Sequence, residues 1–231
     1  MVTTTASGIV LLSGGLDSAV LLVDEARTRY VWPVYVRVGL AWEALEIAMV
    51  ERLLADPRLP PDIGTLSIVD FTMRDVYSPS HWAVRGEPPA YDTPDEDVYL
   101  TGRNVVLLAK AGVIAVTKRA HRIALGPLAG NPFPDARPSF FAAMQGALTL
   151  GLAHEVEVAA PFLAFQKEDV IRRGLELGVP LELTLSCMNP VDGTGGPPRH
   201  CGLCSKCRER RDAFAGIGRE DKAVYASASP R

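Results

Sequence analysis

The segment LSGGLDS, residues 12–18, constrains this chain most, because it joins two apolar runs of different periodicity. The run before it is short and β-branched, as in a buried strand, and residues 17–29 repeat apolar side chains with the helical period. Glycines allow positive φ and a close backbone approach to an anion, which the amides of a helix N-terminus attract. The segment predicts an anion-binding loop; as an ordinary turn, its Ser and Asp would only cap the helix.

This loop contains no lysine, unlike the familiar phosphate loops that hold a γ-phosphate for transfer. It therefore suits the binding of pyrophosphate as a leaving group, not of a γ-phosphate that is transferred. We expect its backbone amides and hydroxyls to bind a triphosphate, while its carboxylate binds Mg²⁺ or caps the helix. The residues assigned to nucleotide binding here are Ser13, Gly14, Gly15, Leu16, Asp17 and Ser18.

Strand and helix patterns alternate through most of the chain. Strands are predicted at residues 8–12, 30–38, 64–69, 121–125 and 155–160, with helices at 17–29, 41–55, 103–120, 139–150 and 167–177. Pro33 is an awkward interruption of the second strand. This alternation predicts an α/β fold with a doubly wound parallel sheet, whose ligands bind beyond the carboxyl ends of the strands. Residues 72–100 form a long connection, typical of a lid, a binding loop or disorder.

All four cysteines lie in the last quarter of the chain, with the spacing Cys187-x13-Cys201-x2-Cys204-x2-Cys207. Four thiolates complete a tetrahedral site, so the spacing predicts a structural Zn²⁺. Replacement of one cysteine by His200 and an iron–sulfur cluster are the alternatives. We assign residues 1–183 to the α/β domain, 184–225 to this C-terminal zinc-binding segment and 226–231 to a flexible tail.

Charge and hydropathy limit the functions open to the chain. A formal net charge of −3 disfavours a general nucleic-acid binder. No apolar run approaches the length of a membrane span, and the N-terminus lacks a signal-peptide pattern, so we expect a cytoplasmic protein. The basic run at Arg208, Arg210 and Arg211 is interpreted as a solvated helix end.

Together these motifs resemble the 7-cyano-7-deazaguanine synthase (QueC) family of PP-loop ATP pyrophosphatases, which have an adenine nucleotide alpha-hydrolase-like fold. The resemblance covers most of the chain and rests on LSGGLDS, LTGRNVVLLAKA, PDARPSF, PFLAFQKEDVI and the cysteine segment. It implies a ligase that uses ATP and Mg²⁺ to adenylate 7-carboxy-7-deazaguanine. Ammonia then gives the amide, and a second activation gives the nitrile, preQ0. It also implies a homodimer.

The resemblance implies roles for individual residues on the nucleotide side. Ser13, Asp17 and Lys167 would be catalytic, the lysine by neutralising charge that builds on the α-phosphate. Arg103 and Asn104 would bind the nucleotide. Asn104 could instead cap the following helix, and Arg103 could pair with a nearby carboxylate.

On the substrate side, the resemblance points to Asp135, Arg137 and Phe140. A carboxylate such as Asp135 suits the amino and ring N–H groups of a guanine-like base. Asp135 could alternatively be a turn residue, and Phe140 a core residue.

The chain departs from the family pattern after the second strand. Where the family usually has aromatic-Gly-Gln-Arg-His, residues 38–42 read VGLAW, and Asp-Cys-Arg becomes Asp-Ala-Arg at 135–137. An altered acceptor side favours a second hypothesis, an enzyme of bacterial antiphage defence that joins the deazaguanine to an amine of a partner protein. In that case Trp82 and Tyr91 are candidate contacts. Two further hypotheses are a PP-loop tRNA sulfurtransferase, which commonly needs a spare cysteine, and a non-catalytic nucleotide sensor.

Overall fold

The computed structural model describes residues 7–228, which contain a five-stranded sheet with every strand parallel. The sheet order is β3-β2-β1-β4-β5, so the order reverses between β1 and β4. Such a reversal is where open α/β sheets bind ligands. The doubly wound parallel sheet predicted from the sequence is confirmed. The strands are β1 (Ser7–Leu11), β2 (Tyr30–Arg37), β3 (Ser67–Asp70), β4 (Arg122–Ala124) and β5 (Glu157–Ala159).

The helices follow the predicted pattern closely, with two additions. The 72–100 connection contains α3, a single turn, and a 3-10 turn at Asp95–Val98, and α7 extends the cysteine segment. The first six are α1 (Leu16–Ala26), α2 (Glu43–Leu54), α3 (Trp82–Arg85), α4 (Arg103–Lys118), α5 (Pro138–Leu152) and α6 (Lys167–Glu176), followed by α7 (Ser205–Gly216). In the described residues, no helix combines the length and apolarity needed to cross a membrane.

Pro33 lies inside β2, an interior strand, because the chain beside it bulges. Val31 pairs with Ile63 and Val34 with Ser67, so three residues on that side face only two of β2. The missing N–H of Pro33 falls at this interruption, where the ladder of hydrogen bonds is already broken.

A buried ion pair within the C-terminal segment centres on Arg210, whose Nη2 also donates to Leu181 O of the α/β domain at 2.9 Å. Arg210 is only 1% exposed, and its guanidinium donates to Asp221 at 2.7 Å and to Thr184 Oγ1 at 2.6 Å. The interpretation of this basic run as a solvated helix end is therefore wrong for Arg210. A buried charge needs such partners, and removing one of them is strongly destabilising.

The predicted tail begins in residues that make backbone hydrogen bonds. Ala226 N donates to His200 O at 2.8 Å, and the Arg211 guanidinium donates to Ser227 O at 2.8 Å. The last three residues of the predicted tail, 229–231, lie outside the described residues.

Candidate active site and metal centre

The loop between β1 and α1 is folded tightly at the switch point of the sheet. Ser18 Oγ donates to Gly15 O at 2.9 Å, and Ser13 N donates to Ser18 Oγ at 3.3 Å. The N-cap of α1 is Gly15, and no side chain caps it, so the capping role considered for Asp17 is not realised. The first amides of α1 therefore face the cleft without a capping carboxylate, as an anion site requires.

Gly14 carries both the unusual backbone and the tightest packing of this loop. Its φ is +79°, and a Cβ there would lie 2.9 Å from Val50 Cγ2 on α2. We expect Gly14→Ala to lower the free energy of unfolding by about 2–4 kcal/mol, because backbone strain adds to overpacking. Gly178→Ala is the matched control, since its φ is +68° but no atom lies within 4 Å. Denaturant unfolding of both variants measures the difference; equal losses would show that the contact with Val50 is immaterial.

Lys167, at the start of α6, lies between two carboxylates. Its Nζ donates to Asp17 Oδ2 at 2.6 Å and lies 2.9 Å from Glu209 Oε1. Burial lowers the pKa of Lys167, but Asp17 and Glu209 raise it by more, so the ammonium stays charged. The other oxygen of Asp17, Oδ1, is buried and has no hydrogen-bond partner. An ion with oxygen ligands, such as Mg²⁺, fits this free atom.

Glu209 is a residue of this cluster that the sequence analysis missed. Burial raises the pKa of Glu209, but the charges of Lys167 and Lys206 lower it by more, so that the pKa is about 2. It is therefore ionised and fixes the position of Lys167 from α7. The position of Glu209, two residues after Cys207, was the only sequence feature that could have indicated its role. The sequence analysis considered this run only for its basic residues.

Two adjoining cavities open beside the loop. The strand cavity, about 260 Å³, is lined by the ends of β1 and β2 together with Asn104 and Asp135. The lysine cavity, about 650 Å³, is lined by Lys167, Glu209 and residues of α2 and α7. Their shared wall includes Ser13, Gly15, Asp17, Arg103, Gly126 and Phe133.

Asn104 and Asp135, which the sequence assigned to different ligands, hydrogen-bond to each other. Asn104 N donates to Asp135 Oδ2 at 3.1 Å, and Asn104 Nδ2 donates to Asp135 O at 2.9 Å. The N-cap of α4 is Gly102, so the Asn104 side chain does not cap this helix. Asp135 is 5% exposed, and its Oδ1 has no partner. Burial raises the pKa of Asp135.

The three predicted substrate residues are only partly brought together. Among the described residues that line either cavity, Asp135 is present, but Arg137 and Phe140 are not. Phe140 packs edge-to-face against Phe141 and joins the hydrophobic core, which was its alternative role. Phe133, which the sequence analysis did not select, lies in the wall instead. Arg103 also lines both cavities, and its Nε is buried without a partner.

The four cysteines form one buried cluster. Their sulfur atoms all lie within 4.8 Å of one another, with Cys187–Cys204 and Cys201–Cys207 at 3.9 Å. Tetrahedral zinc with Zn–S bonds of about 2.3 Å would place the sulfurs about 3.8 Å apart, so the cluster fits the ion. The structure thus brings the four predicted cysteines together in positions that could bind one metal ion, consistent with zinc.

His200 does not join this cluster. Its Nε2 accepts a hydrogen bond from Ser186 N at 3.2 Å, and its ring packs on Tyr225. Burial lowers the pKa of His200 to about 3, which keeps the imidazole neutral and able to accept this bond. The hypothesis in which His200 replaces a cysteine is therefore not supported.

The cysteine segment also touches the anion loop directly. Leu185 N donates to Gly14 O at 2.7 Å, and Leu16 N donates to Ser186 Oγ at 3.4 Å. Ser186 immediately precedes Cys187 and lines the lysine cavity. The metal centre can therefore position the loop as well as α7.

The region that lacks the family's polar residues is filled by aromatic packing. Trp42 stacks on Trp82 of α3, with ring centroids 5.8 Å apart and an interplanar angle of 15°. Both rings line the lysine cavity. Tyr91, the other predicted contact residue of the long connection, lies 6.0 Å from the guanidinium of Arg208.

Comparisons with known proteins agree with this architecture. The family described as "Queuosine biosynthesis protein QueC" matches residues 7–218. Curated proteins named 7-cyano-7-deazaguanine synthase are similar along nearly their whole length. The protein from Acaryochloris marina is 38% identical, over 95% of this chain and 99% of its own. Those from Methanoculleus marisnigri and Caldicellulosiruptor bescii are 36% and 32% identical, each over 94% of this chain and over 97% and 96% of their own lengths. The chain belongs to the QueC family.

Proposed function

We propose that this protein is an ATP-dependent 7-cyano-7-deazaguanine synthase, which adenylates 7-carboxy-7-deazaguanine and joins the activated acid to a nitrogen nucleophile. The observation that carries the proposal is the position of Lys167, paired with Asp17 at the N-terminus of α1 where the two cavities meet. A fixed ammonium beside the N-terminus of α1 suits charge that develops on a phosphate during adenylation.

The two cavities suit the two reactants. The strand cavity presents the free Oδ1 of Asp135, an acceptor for the N–H groups of a guanine-like base. The lysine cavity presents Lys167, Lys206 and Arg208 to a triphosphate. In this arrangement the substrate carboxylate and the α-phosphate meet at the shared wall, beside Arg103. Ser13, which lines both cavities, adds a hydroxyl donor to the phosphates, whereas the Ser18 hydroxyl donates to Gly15 O within the loop.

Asp17 Oδ1 is the atom that would bind Mg²⁺, which supplies charge neutralisation for the departing pyrophosphate. Three side chains of the protein have the remaining roles. Lys167 keeps Asp17 in place, Asp135 orients the base, and Arg103 neutralises charge at the shared wall. The second activation would use the same groups to adenylate the amide oxygen, which then leaves on AMP as the amide nitrogen loses its protons and the nitrile forms.

Conjugation to an amine of a partner protein is the second candidate. It is favoured by residues 40–42, Leu-Ala-Trp, where the family usually has three polar or basic side chains. All four cysteines of the chain lie in the metal cluster, which disfavours a sulfurtransferase.

Pyrophosphate exchange into ATP, dependent on 7-carboxy-7-deazaguanine, tests the proposed function. We expect exchange with this acid and conversion to the nitrile when ammonium is added. No exchange would leave only a nucleotide sensor, whereas exchange without nitrile would favour a protein amine.

Asp135→Asn tests the assignment of the base. Because the new amide group places a donor opposite the N–H groups of the base, we expect KM for the acid to rise about 10–100-fold. KM for ATP should not change. Asp75→Asn, at an exposed position, is the matched control. A rise in KM for ATP alone would place the nucleotide, not the acid, against Asp135.

A further inference from the structure

Glu46 is a buried carboxylate in the wall of the lysine cavity, and the steps described above give it no role. It lies on α2 and is 7% exposed. Tyr35 on β2 donates its hydroxyl to Glu46 Oε2 at 2.6 Å, and Tyr35 itself lines the strand cavity. The Tyr35–Glu46 pair therefore reaches from one cavity to the other, next to Arg103, which lines both.

A structural role does not account for the charge on this side chain. A glutamine would accept the same hydrogen bond from Tyr35 without the free-energy penalty of burying a carboxylate. The neighbouring Glu43 differs, because its carboxylate accepts hydrogen bonds from Val38 N at 2.7 Å and Gly39 N at 3.1 Å. It closes the turn that precedes α2, whereas Glu46 faces a cavity.

The position of Glu46 relative to the anion loop is fixed by close packing. A Cβ on Gly14 would lie 3.3 Å from the backbone oxygen of Glu46, so this turn of α2 presses against the loop. The carboxylate is thus held near the shared wall, where the proposed function places the activated carboxyl group.

The surroundings of Glu46 indicate which ligand class it can face. Trp42 and Trp82 line the same cavity with stacked rings, and Trp42 also hydrogen-bonds to the Glu46 side chain. A carboxylate beside aromatic faces repels a phosphate or an organic acid and attracts an amine or ammonium group. This corner of the lysine cavity therefore suits the nitrogen nucleophile, not the nucleotide.

We propose that Glu46 accepts the proton of the nitrogen nucleophile, ammonia or a primary amine, as it attacks the acyl-adenylate. This inference rests on the proposed function. The C–N bond forms, and the C–O bond to AMP breaks with its electron pair leaving on the phosphate oxygen. The proton lost from nitrogen passes to the Glu46 carboxylate, which becomes a carboxylic acid and returns the proton to solvent after product release.

The acidity of Glu46 agrees with this role. Burial raises its pKa to about 7, aided by Glu43 and opposed by Arg103 and the hydrogen bonds from Tyr35 and Trp42. The charged and titratable groups that face it are therefore Tyr35 on β2, Glu43 on α2 and Arg103 on α4. A base whose pKa lies near the working pH transfers protons most effectively. Amide formation should therefore rise with pH through this value, as Glu46 ionises.

The test compares Glu46→Gln with Glu51→Gln, an exposed position on the same helix. With ammonium chloride, and with rates divided by the concentration of free ammonia at each pH, we expect Glu46→Gln to form amide about 10²–10⁴-fold more slowly and to lose the rise of this rate near pH 7. Acid-dependent pyrophosphate exchange should be unchanged in both variants. Hydroxylamine, which is already neutral near pH 7 and strongly nucleophilic, should restore coupling in Glu46→Gln. Methylamine in place of ammonium distinguishes an amine acceptor from ammonia.

Tyr35→Phe gives an independent readout, because it keeps the carboxylate but removes a hydrogen bond that lowers the pKa of Glu46. In this variant, we expect the rise in the rate of amide formation with pH to occur at a higher pH. Amide formation by Glu46→Gln at the wild-type rate, or a parallel loss of exchange, would overturn the inference. Absence of exchange in the wild-type protein would instead overturn the proposed function, and this inference with it.

Discussion

Cys204→Ser is expected to lose its metal ion and at least about 4 kcal/mol of its free energy of unfolding, a loss typical of a broken metal site. The sulfur of Cys204 lies 3.9 Å from that of Cys187 and 3.5 Å from that of Cys207, so one ion can bind all three. A serine hydroxyl is a poor ligand for zinc. Structural zinc contributes about 10–16 kcal/mol in small zinc-binding peptides, and a variant that binds weakly loses much of this.

Guanidinium unfolding and metal analysis of the purified proteins measure this effect. Met188→Leu is the matched control, because Met188 is buried next to Cys187 but offers no thiolate, and such exchanges usually cost less than about 1.5 kcal/mol. Chelation of the wild-type protein should reproduce the loss, and added zinc should reverse it. Iron in place of zinc would indicate an iron–sulfur cluster, and unchanged stability after chelation would contradict a structural metal.

Loss of the metal should also lower pyrophosphate exchange, even though no cysteine has a proposed contact with phosphate. Ser186 touches Leu16 N of the anion loop, and Glu209 on α7 touches Lys167. Both residues lie within two positions of a cysteine ligand. Removing the ion therefore releases the supports of the loop and of the lysine together.

The elements of this fold were predictable because their patterns are local. Periodicity over about ten residues located the strands and helices to within a few residues, and the cysteine spacing identified the metal cluster. Pro33 could not be placed in advance, because it is tolerated only where the chain before β3 bulges, 30 residues away.

Side-chain pairs distant in sequence set the limit of prediction for the candidate site. Lys167 and Glu209 are 42 residues apart, and neither position indicates the other until α6 and α7 pack together. Asn104 and Asp135 each belong to a recognisable sequence motif, but only the fold shows that they hydrogen-bond to each other. Tyr35 and Glu46 belong to a strand and a helix with ordinary patterns, so nothing local marked them.

Lys167→Met is expected to reduce pyrophosphate exchange about 10²–10³-fold, because the fixed ammonium beside the anion loop is lost. It should also lower the free energy of unfolding by about 3–5 kcal/mol, since Asp17 and Glu209 are left without their shared partner. Lys206→Met is the matched control. It removes an ammonium 2.7 Å from Glu209 Oε2 but keeps the Asp17–Lys167 contact, so exchange should fall less.

The pH dependence of stability separates the two effects of this substitution. In the wild type, Lys167 and Lys206 hold the pKa of Glu209 at about 2 against burial, which raises it. The resulting stability is present above the ordinary glutamate pKa of about 4.3 and is lost as pH falls towards 2. The loss of unfolding free energy caused by Lys167→Met should therefore become smaller as the pH falls over this range. Adding Glu209→Gln should recover part of the stability at neutral pH, because one unpaired carboxylate is removed, but it should not recover exchange. Recovery of both would show that Lys167 acts only as a structural partner, and that the charge at the phosphate comes from another group.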